Sequence, residues 1–443
     1  MKSFTLFLTL SLSLNSLSLI YAQTEHQDGW VRFRGPNGTG VATETIGVPL
    51  SWNGSAHIRW RIELPGLGSS SPIVLGDKVF VTSYTGYGID KANPGEPNQL
   101  KRHLICLKCS DGSEVWRATV DAINEEDPYQ GFIQEHGYAS STPVSDGTSV
   151  YVFFGKDGVF AFDLEGNKQW QTSVGTQSDP AKWGGGASCM LVDDVLVVNA
   201  GNEGRAILGL SKSDGKEIWR VESDGFANSW STPCLVEVAG RKEIVISVPD
   251  KIIAIDPLTG NQLWWAKSPV SNTTCPSLAL GDNVVFAMGG RGGQAIAVRC
   301  GGTGDVSESH TVWQAALPAG IGTPLFANGR LYWNARGIGY CADAETGEMI
   351  YKDRLKPGED EPTPEGGRRS PAGDYASPIS VDGHLFYTLR NGMVYIVQAD
   401  TDTLKVVSSN AFDDDDSLFN ATPAVGNGEL YFRSEKFLYC IGK

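Results

Sequence analysis

The amino-acid sequence predicts an all-β fold: an eight-bladed β-propeller of four-stranded antiparallel blades, closed by an N-terminal strand that completes the last blade. Three observations predict it. A phrase of about eleven residues ending in a large aromatic returns along the chain. A short strand opened by a small residue, usually followed by proline, precedes each copy. The last copy stops short of its aromatic, and a spare one stands near the N-terminus.

"CLKCSDGSEVW" (106–116), "GLSKSDGKEIW" (209–219), "AIDPLTGNQLW" (254–264) and "CADAETGEMIY" (341–351) share one length, and "AFDLEGNKQW" (161–170) is one residue shorter. Each reads as a strand end, a tight turn and an outer strand. Trp60, Trp116, Trp170, Trp219, Trp264, Trp313 and Tyr351 take the closing place and are expected to dock into the neighbouring blade. A buried indole of ~200 Å² contributes roughly 5 kcal/mol before entropy, so these aromatics read as adhesive between blades.

The second motif appears as "SSPIVLGDKVFV", "STPVSDGTSVYV", "STPCLVEVAGRKEIVI", "CPSLALGDNVVFA", "GTPLFANGRLYW", "ASPISVDGHLFY" and "ATPAVGNGELYF", with "ASCMLVDDVLVV" as a copy without proline. The proline-equivalent positions 72, 143, 189, 233, 276, 324, 378 and 423 are 43–54 residues apart, except for a first gap of 71 that holds an insertion. A period near 45 with short β-branched and aromatic strands is that of a propeller blade, and no helical periodicity competes with it. The chain ends at "FLYCIGK", while "HIRWRIEL" (57–64) carries Trp60 into the first anchor. That strand is expected to complete the last blade and remove the open edges. The domains are therefore a leader at 1–22, an N-terminal extension at 23–57 and the propeller at 58–443.

The leader has Lys2, a Ser-rich apolar run and "IYA" before Gln23, the pattern of an export signal. Export to the periplasm or cell envelope is expected, and with no Cys after the cut, a soluble protein without a lipid anchor. No later segment is long and apolar enough to span a bilayer. A net charge of −15 would be repelled by nucleic acid or an anionic lipid surface. A monomer is expected.

The small residue opening each phrase is Cys106, Ala161, Gly209, Ala254, Ala297, Cys341, Ile396 or Cys440, so cysteine there behaves as a small buried side chain. Cys106 and Cys109 lie three apart along an extended strand, too far to bridge easily. Cys189, Cys234 and Cys275 start consecutive inner strands, and export leaves room for one disulfide among them.

Ala254, Asp256, Thr259, Gly260 and Trp264 complete a pattern that resembles the tryptophan-docking motif of pyrroloquinoline quinone (PQQ) propeller repeats. The motif is shared by quinoprotein alcohol dehydrogenases and by BamB, a non-enzymatic outer-membrane assembly scaffold. The segment "WVRFRGPNGTG" (30–40) is similar to one in exported PQQ-binding-like propellers of environmental bacteria such as planctomycetes. The resemblance implies either a binding scaffold or a dehydrogenase using PQQ and Ca²⁺. The dehydrogenases' adjacent cysteine pair has no counterpart here, and their calcium ligands and catalytic Asp match no motif in this chain.

In that strand order, loops from each outer strand to the next inner strand converge on one face. Three are long: 120–139, 355–376 and 411–421. Ligand sites concentrate in such loops. Glu135 and His136 form either an acid–base pair or an ordinary backbone-bonded loop. Trp183 and Trp230, outside the docking positions, form either a stacking platform or packing over an inner strand. Asp413, Asp414, Asp415 and Asp416 would suit a hard cation, or make a solvated acidic loop. Lys156, Arg205, Lys251, Arg291, Arg336, Arg390 and Arg433 occupy comparable turns and would either ring a funnel mouth or neutralise nearby acids. The expected partner at this face is an envelope protein, a carbohydrate or another small ligand.

Overall fold

The computed structural model describes residues 29–43, 46–54, 56–289, 293–357, 373–412 and 414–443. The leader, Arg291, Asp413 and most of the 355–376 loop lie outside them. Eight antiparallel sheets follow one another at 73–121, 144–172, 190–222, 234–267, 279–316, 325–354, 379–410 and 424–441. We number them blades 1 to 8. Seven blades draw four strands each from consecutive sequence. Blade 8 supplies three, and Ile58–Glu63 pairs with Phe437–Ile441 as its outer strand, Trp60 opposite Cys440. The ring is closed by its first strand, as the sequence predicts. No helix among the described residues is long and apolar enough to cross a bilayer.

The residues before the inner strands close a second ring, of hydrogen bonds. Ser71 N–H donates to Thr142 Oγ1, Thr142 to Ser188, Ser188 to Thr232, Thr232 to Ser277, Ser277 to Thr323, Thr323 to Ser377, Ser377 to Thr422, and Thr422 back to Ser71. The eight distances span 2.9–3.1 Å. Each hydroxyl satisfies a backbone donor that an inner edge strand would otherwise leave buried and alone. The belt corrects the sequence alignment at blade 5. Ser277 takes the belt position there, so Leu278, not Pro276, stands where six of the other seven blades have proline and blade 3 has Cys189.

The recurring phrase has a direct physical reading. The aromatic sits opposite the small residue in every pair, from Cys106↔Trp116 to Cys341↔Tyr351. A Cβ on Gly209 would lie 2.2 Å from Trp219, so the indole needs that space. Five indoles donate to a carbonyl in the next blade's turn: Trp60 to Cys109, Trp116 to Leu164, Trp170 to Lys212, Trp219 to Pro257 and Trp313 to Ala344, at 2.7–3.0 Å. The turn glycine lies against the ring. Gly260 has φ +73, and a Cβ there would come within 2.9 Å of Trp219.

Blades 4 and 7 depart from the rule. Trp264, expected to dock on blade 5, instead donates to Glu243 Oε2 of its own blade at 2.7 Å. The blade 5 turn is too long to receive it, and lays Gly304–Asp305 parallel to Trp264 and Trp265 as a fifth strand of blade 4. Blade 7 has Ser408 opposite Ile396, where an aromatic would stand. The extension supplies the missing indole. Trp52 N–H donates to Asn410 of blade 7, and its ring packs 5.2 Å from Phe432 of blade 8. Tyr351 fills its place beside Tyr387.

All eight cysteines are free thiols, so the room left for a disulfide among Cys189, Cys234 and Cys275 is unused. Cys109 serves the fold through its carbonyl, as the acceptor for Trp60. Trp52→Ala is expected to lower the free energy of urea unfolding by about as much as Trp219→Ala, roughly 3–5 kcal/mol each. A loss well under 1 kcal/mol at Trp52 would mean that the extension does not bind blades 7 and 8 together.

Candidate functional site

The inner strands start at the loop face and surround a cavity of about 560 Å³ on the ring axis. All eight belt residues line it. So do Phe132, His136, Trp183, Trp230, Arg336, Asp374, Tyr375 and Asn420 from the loop face. Phe33 reaches the cavity from the opposite side.

Phe33 is there because the extension crosses the ring. Trp30 C=O accepts from Val74 of blade 1, Val31 C=O from Ser145 of blade 2, and Asn37 donates to Leu235 of blade 4. Arg34 donates to the Pro324 carbonyl at 2.8 Å, and Gly40 and Ala42 bond Ser380. Arg34 is 1% exposed, and burial lowers its pKa to about 9, which leaves it charged near neutrality. The glycines of "FRGPNGTG" serve this crossing: a Cβ on Gly35 would meet the Trp30 ring at 2.4 Å. The sequence marks this segment as a motif without revealing that it floors the channel.

On one wall Trp183 and Trp230 stack at 5.2 Å and 26°, and Phe132 adds a third ring 4.5 Å from Trp183. Trp230 Nε1–H donates to the Gly184 carbonyl at 2.7 Å, which fixes the pair. The rings are packed on one another and are also half-exposed to the cavity.

Glu135 and His136 do not act on each other. His136 Nε2–H donates to Trp183 C=O at 2.9 Å, and Nδ1 pairs with Ser140 Oγ at 2.7 Å. Burial holds this ring below the usual histidine range, hence neutral. With both nitrogens engaged, His136 clips the 120–139 loop to the tryptophan wall. Glu135 pairs with Arg390 at 2.9 Å.

Arg390 is itself a hub. Its Nε–H donates to Asn420 Oδ1 at 2.9 Å, its guanidinium lies 4.3 Å over the Tyr375 ring, and its backbone N–H donates to Asp374 Oδ1 at 3.5 Å. Glu135 and Asn420 are thus gathered on a cation built into the chain. Of the other basic turn residues that are described, four are engaged elsewhere. Lys156 pairs with Asp127 at 3.2 Å, Arg205 binds carbonyls of residues 178, 201 and 202, Lys251 lies 4.7 Å over the Trp265 ring, and Arg433 donates to the Ser70 carbonyl at 2.8 Å. Arg336 differs: it is exposed, lines the cavity and bonds no described side chain or carbonyl.

The acidic run is held by separate local partners. Asp415 accepts from Tyr439 OH and from Ser417, Asp414 C=O accepts from Arg61, and Asp416 lies 3.9 Å from Lys436. Among the described residues no group of three His, Cys, Asp or Glu side chains could hold a metal ion.

Among the described residues no free set of carboxylates is therefore gathered to hold a Ca²⁺ ion beside PQQ in the cavity. Cys275 is the one cysteine lining the cavity, and Glu135, Asn420 and Asp374 already serve Arg390.

Behind the tryptophan wall lies a polar pocket that the sequence did not mark. Arg102 bridges Glu126 and Asp157 there. Glu203 is 4% exposed and abuts the glycine run carrying Trp183: a Cβ on Gly185 would lie 2.7 Å from Glu203 Oε1. Burial, reinforced by the nearby Glu126 and Asp179, raises the Glu203 pKa to about 8. Unfolded, the group ionises near 4.5, so between these values the folded chain holds a proton that the unfolded chain releases. Stability from this group falls as pH rises through that window, by up to about 1.4 kcal/mol per pH unit. Glu203→Gln is expected to flatten the urea-midpoint profile between pH 5 and pH 8 and to gain on the parent as pH rises. An unchanged difference between the two proteins across that range would refute the buried proton.

No curated protein matches the chain. Among solved structures, it is similar to BamB from Moraxella catarrhalis, with TM-score 0.58, 13% identity, and 86% of this chain and 98% of that one covered. It is also similar to a europium-containing methanol dehydrogenase (TM-score 0.64, 10% identity, 95% and 99% covered). A third is the quinohemoprotein alcohol dehydrogenase from Comamonas testosteroni (TM-score 0.64, 11% identity, 95% and 82% covered). At these identities the likeness shows the fold alone, and it spans BamB and two dehydrogenases alike. The family model described as "Outer membrane protein assembly factor BamB" matches residues 98–207 and 156–403, well over half of the sequence, and the chain belongs to that family of PQQ-repeat propellers.

Proposed function

We propose that the chain is a non-enzymatic binding and assembly propeller of the cell envelope, exported by its leader, and that it works through the loop face and the funnel. One observation carries this reading. The cavity presents half-exposed aromatic rings and hydroxyl groups to an incoming ligand, while His136 in its wall is held by both nitrogens and the neighbouring Glu135 is paired with Arg390. Such a lining suits recognition and offers no free acid–base pair. The similarity to BamB, named for outer-membrane assembly, supports a scaffold. The dehydrogenase alternative is supported by fold alone.

The test uses the tryptophan wall as its reporter. Purified protein given an extract of envelope proteins and polysaccharides is expected to change its tryptophan emission. Given PQQ and Ca²⁺ with alcohols or aldoses, it is expected to leave an artificial electron acceptor unreduced. Sustained dye reduction that requires the added quinone would replace the scaffold with a dehydrogenase.

A further inference from the structure

The belt that closes the ring also creates a site. Each of its eight hydroxyl oxygens accepts one backbone N–H from the preceding blade. None of their own hydroxyl protons meets an acceptor among the described residues. A hydroxyl carries one donor and two acceptor lone pairs, so each keeps its donor and one lone pair. These side chains are at least nine-tenths buried and all line the cavity, where an unmet donor carries a cost until something fills it. The belt therefore offers donors and acceptors in equal number around one axis.

Two further features narrow the ligand. The Phe132, Trp183 and Trp230 rings give one wall a flat apolar surface. Arg336 brings to the cavity edge a guanidinium that no described side chain pairs, in a shape that matches a carboxylate with two parallel hydrogen bonds. A ligand that satisfies all three has many hydroxyl groups, a C–H face able to lie on an aromatic ring, and a carboxylate.

We propose that the funnel binds an acidic sugar: a pyranose bearing a carboxylate, such as a uronate unit of a polysaccharide. Its hydroxyls meet the belt, its ring lies against the tryptophan wall, and its carboxylate meets Arg336. The cavity falls within the size range of small-molecule pockets. This inference rests on the binding role proposed above and names the ligand's chemistry.

The experiment titrates the full protein, followed by tryptophan emission, with a galacturonate trimer, a neutral glucose trimer of similar size, and propionate. The uronate trimer is expected to bind about tenfold more tightly than the neutral trimer, the order of one charge-assisted contact, and propionate to give no response. Arg336→Gln should erase that tenfold preference while leaving the neutral trimer's binding in place. Trp183→Ala should weaken both trimers, read by calorimetry because the reporter is gone. Equal binding of the two trimers, a preference that survives Arg336→Gln, or propionate binding as tightly as the uronate would overturn the proposal. If no sugar binds while the envelope extract still changes the emission, the ligand class is wrong and the binding role stands. If neither produces a change, both readings fall.

Discussion

A propeller must do something with the inner edge of every blade, because each inner strand presents backbone donors to a narrow channel with no neighbour on that side. Here one side-chain hydroxyl per blade settles the matter, by accepting the N–H of the blade before it. A chain of such bonds is complete only if it returns to its start. The Thr422-to-Ser71 bond is the step that returns it, and it forms only when blades 8 and 1 are adjacent. That adjacency depends in turn on Ile58–Glu63 completing blade 8. Closure of the ring, satisfaction of the inner edges and the lining of the funnel are thus a single constraint seen from three sides.

The indoles do the corresponding work further out. Where the next turn is tight, an aromatic opposite a small residue reaches its carbonyl and rests on its glycine. Where the turn is elaborated, as in blade 5, the same Trp is buried against its own blade. Its partner Glu243 is fully buried and is also paired with Arg241. Where the aromatic is missing, in blade 7, the extension brings Trp52. The three solutions share one requirement, a large ring packed at each blade boundary, and differ in which part of the chain provides it.

This explains what could be read from the sequence. The phrases and the strand closure were legible because their determinants are local: a turn of fixed length, a small residue and an aromatic opposite it. Trp52 and the crossing by Phe33 and Arg34 were not legible, since their contacts join residues some 290 to 360 positions apart and leave no periodicity. Proline misled at blade 5 because Pro276 serves the approaching loop there, while Ser277 keeps the belt. At the site, residue types were visible and partners were not. Arg390 and Arg336 look alike as turn arginines, yet one is a buried hub and the other lines the cavity with no partner among the described residues. Glu203 gave no signal, because its neighbours Glu126 and Asp179 come from other blades' loops.

The most direct measurement of the central claim is urea unfolding of Ser71→Ala, which removes the acceptor of the seam bond from Thr422 N–H, beside Ser188→Ala, which removes the acceptor of the Thr142 N–H. Alanine removes the hydroxyl acceptor and little else, leaving a buried N–H without a partner, at a cost of about 1–3 kcal/mol. If the belt is continuous, the seam variant and the mid-ring variant lose similar amounts, each in a single cooperative transition. A seam variant as stable as the parent, or one in which blade 8 unfolds on its own before the rest, would show that the ring does not close through this bond.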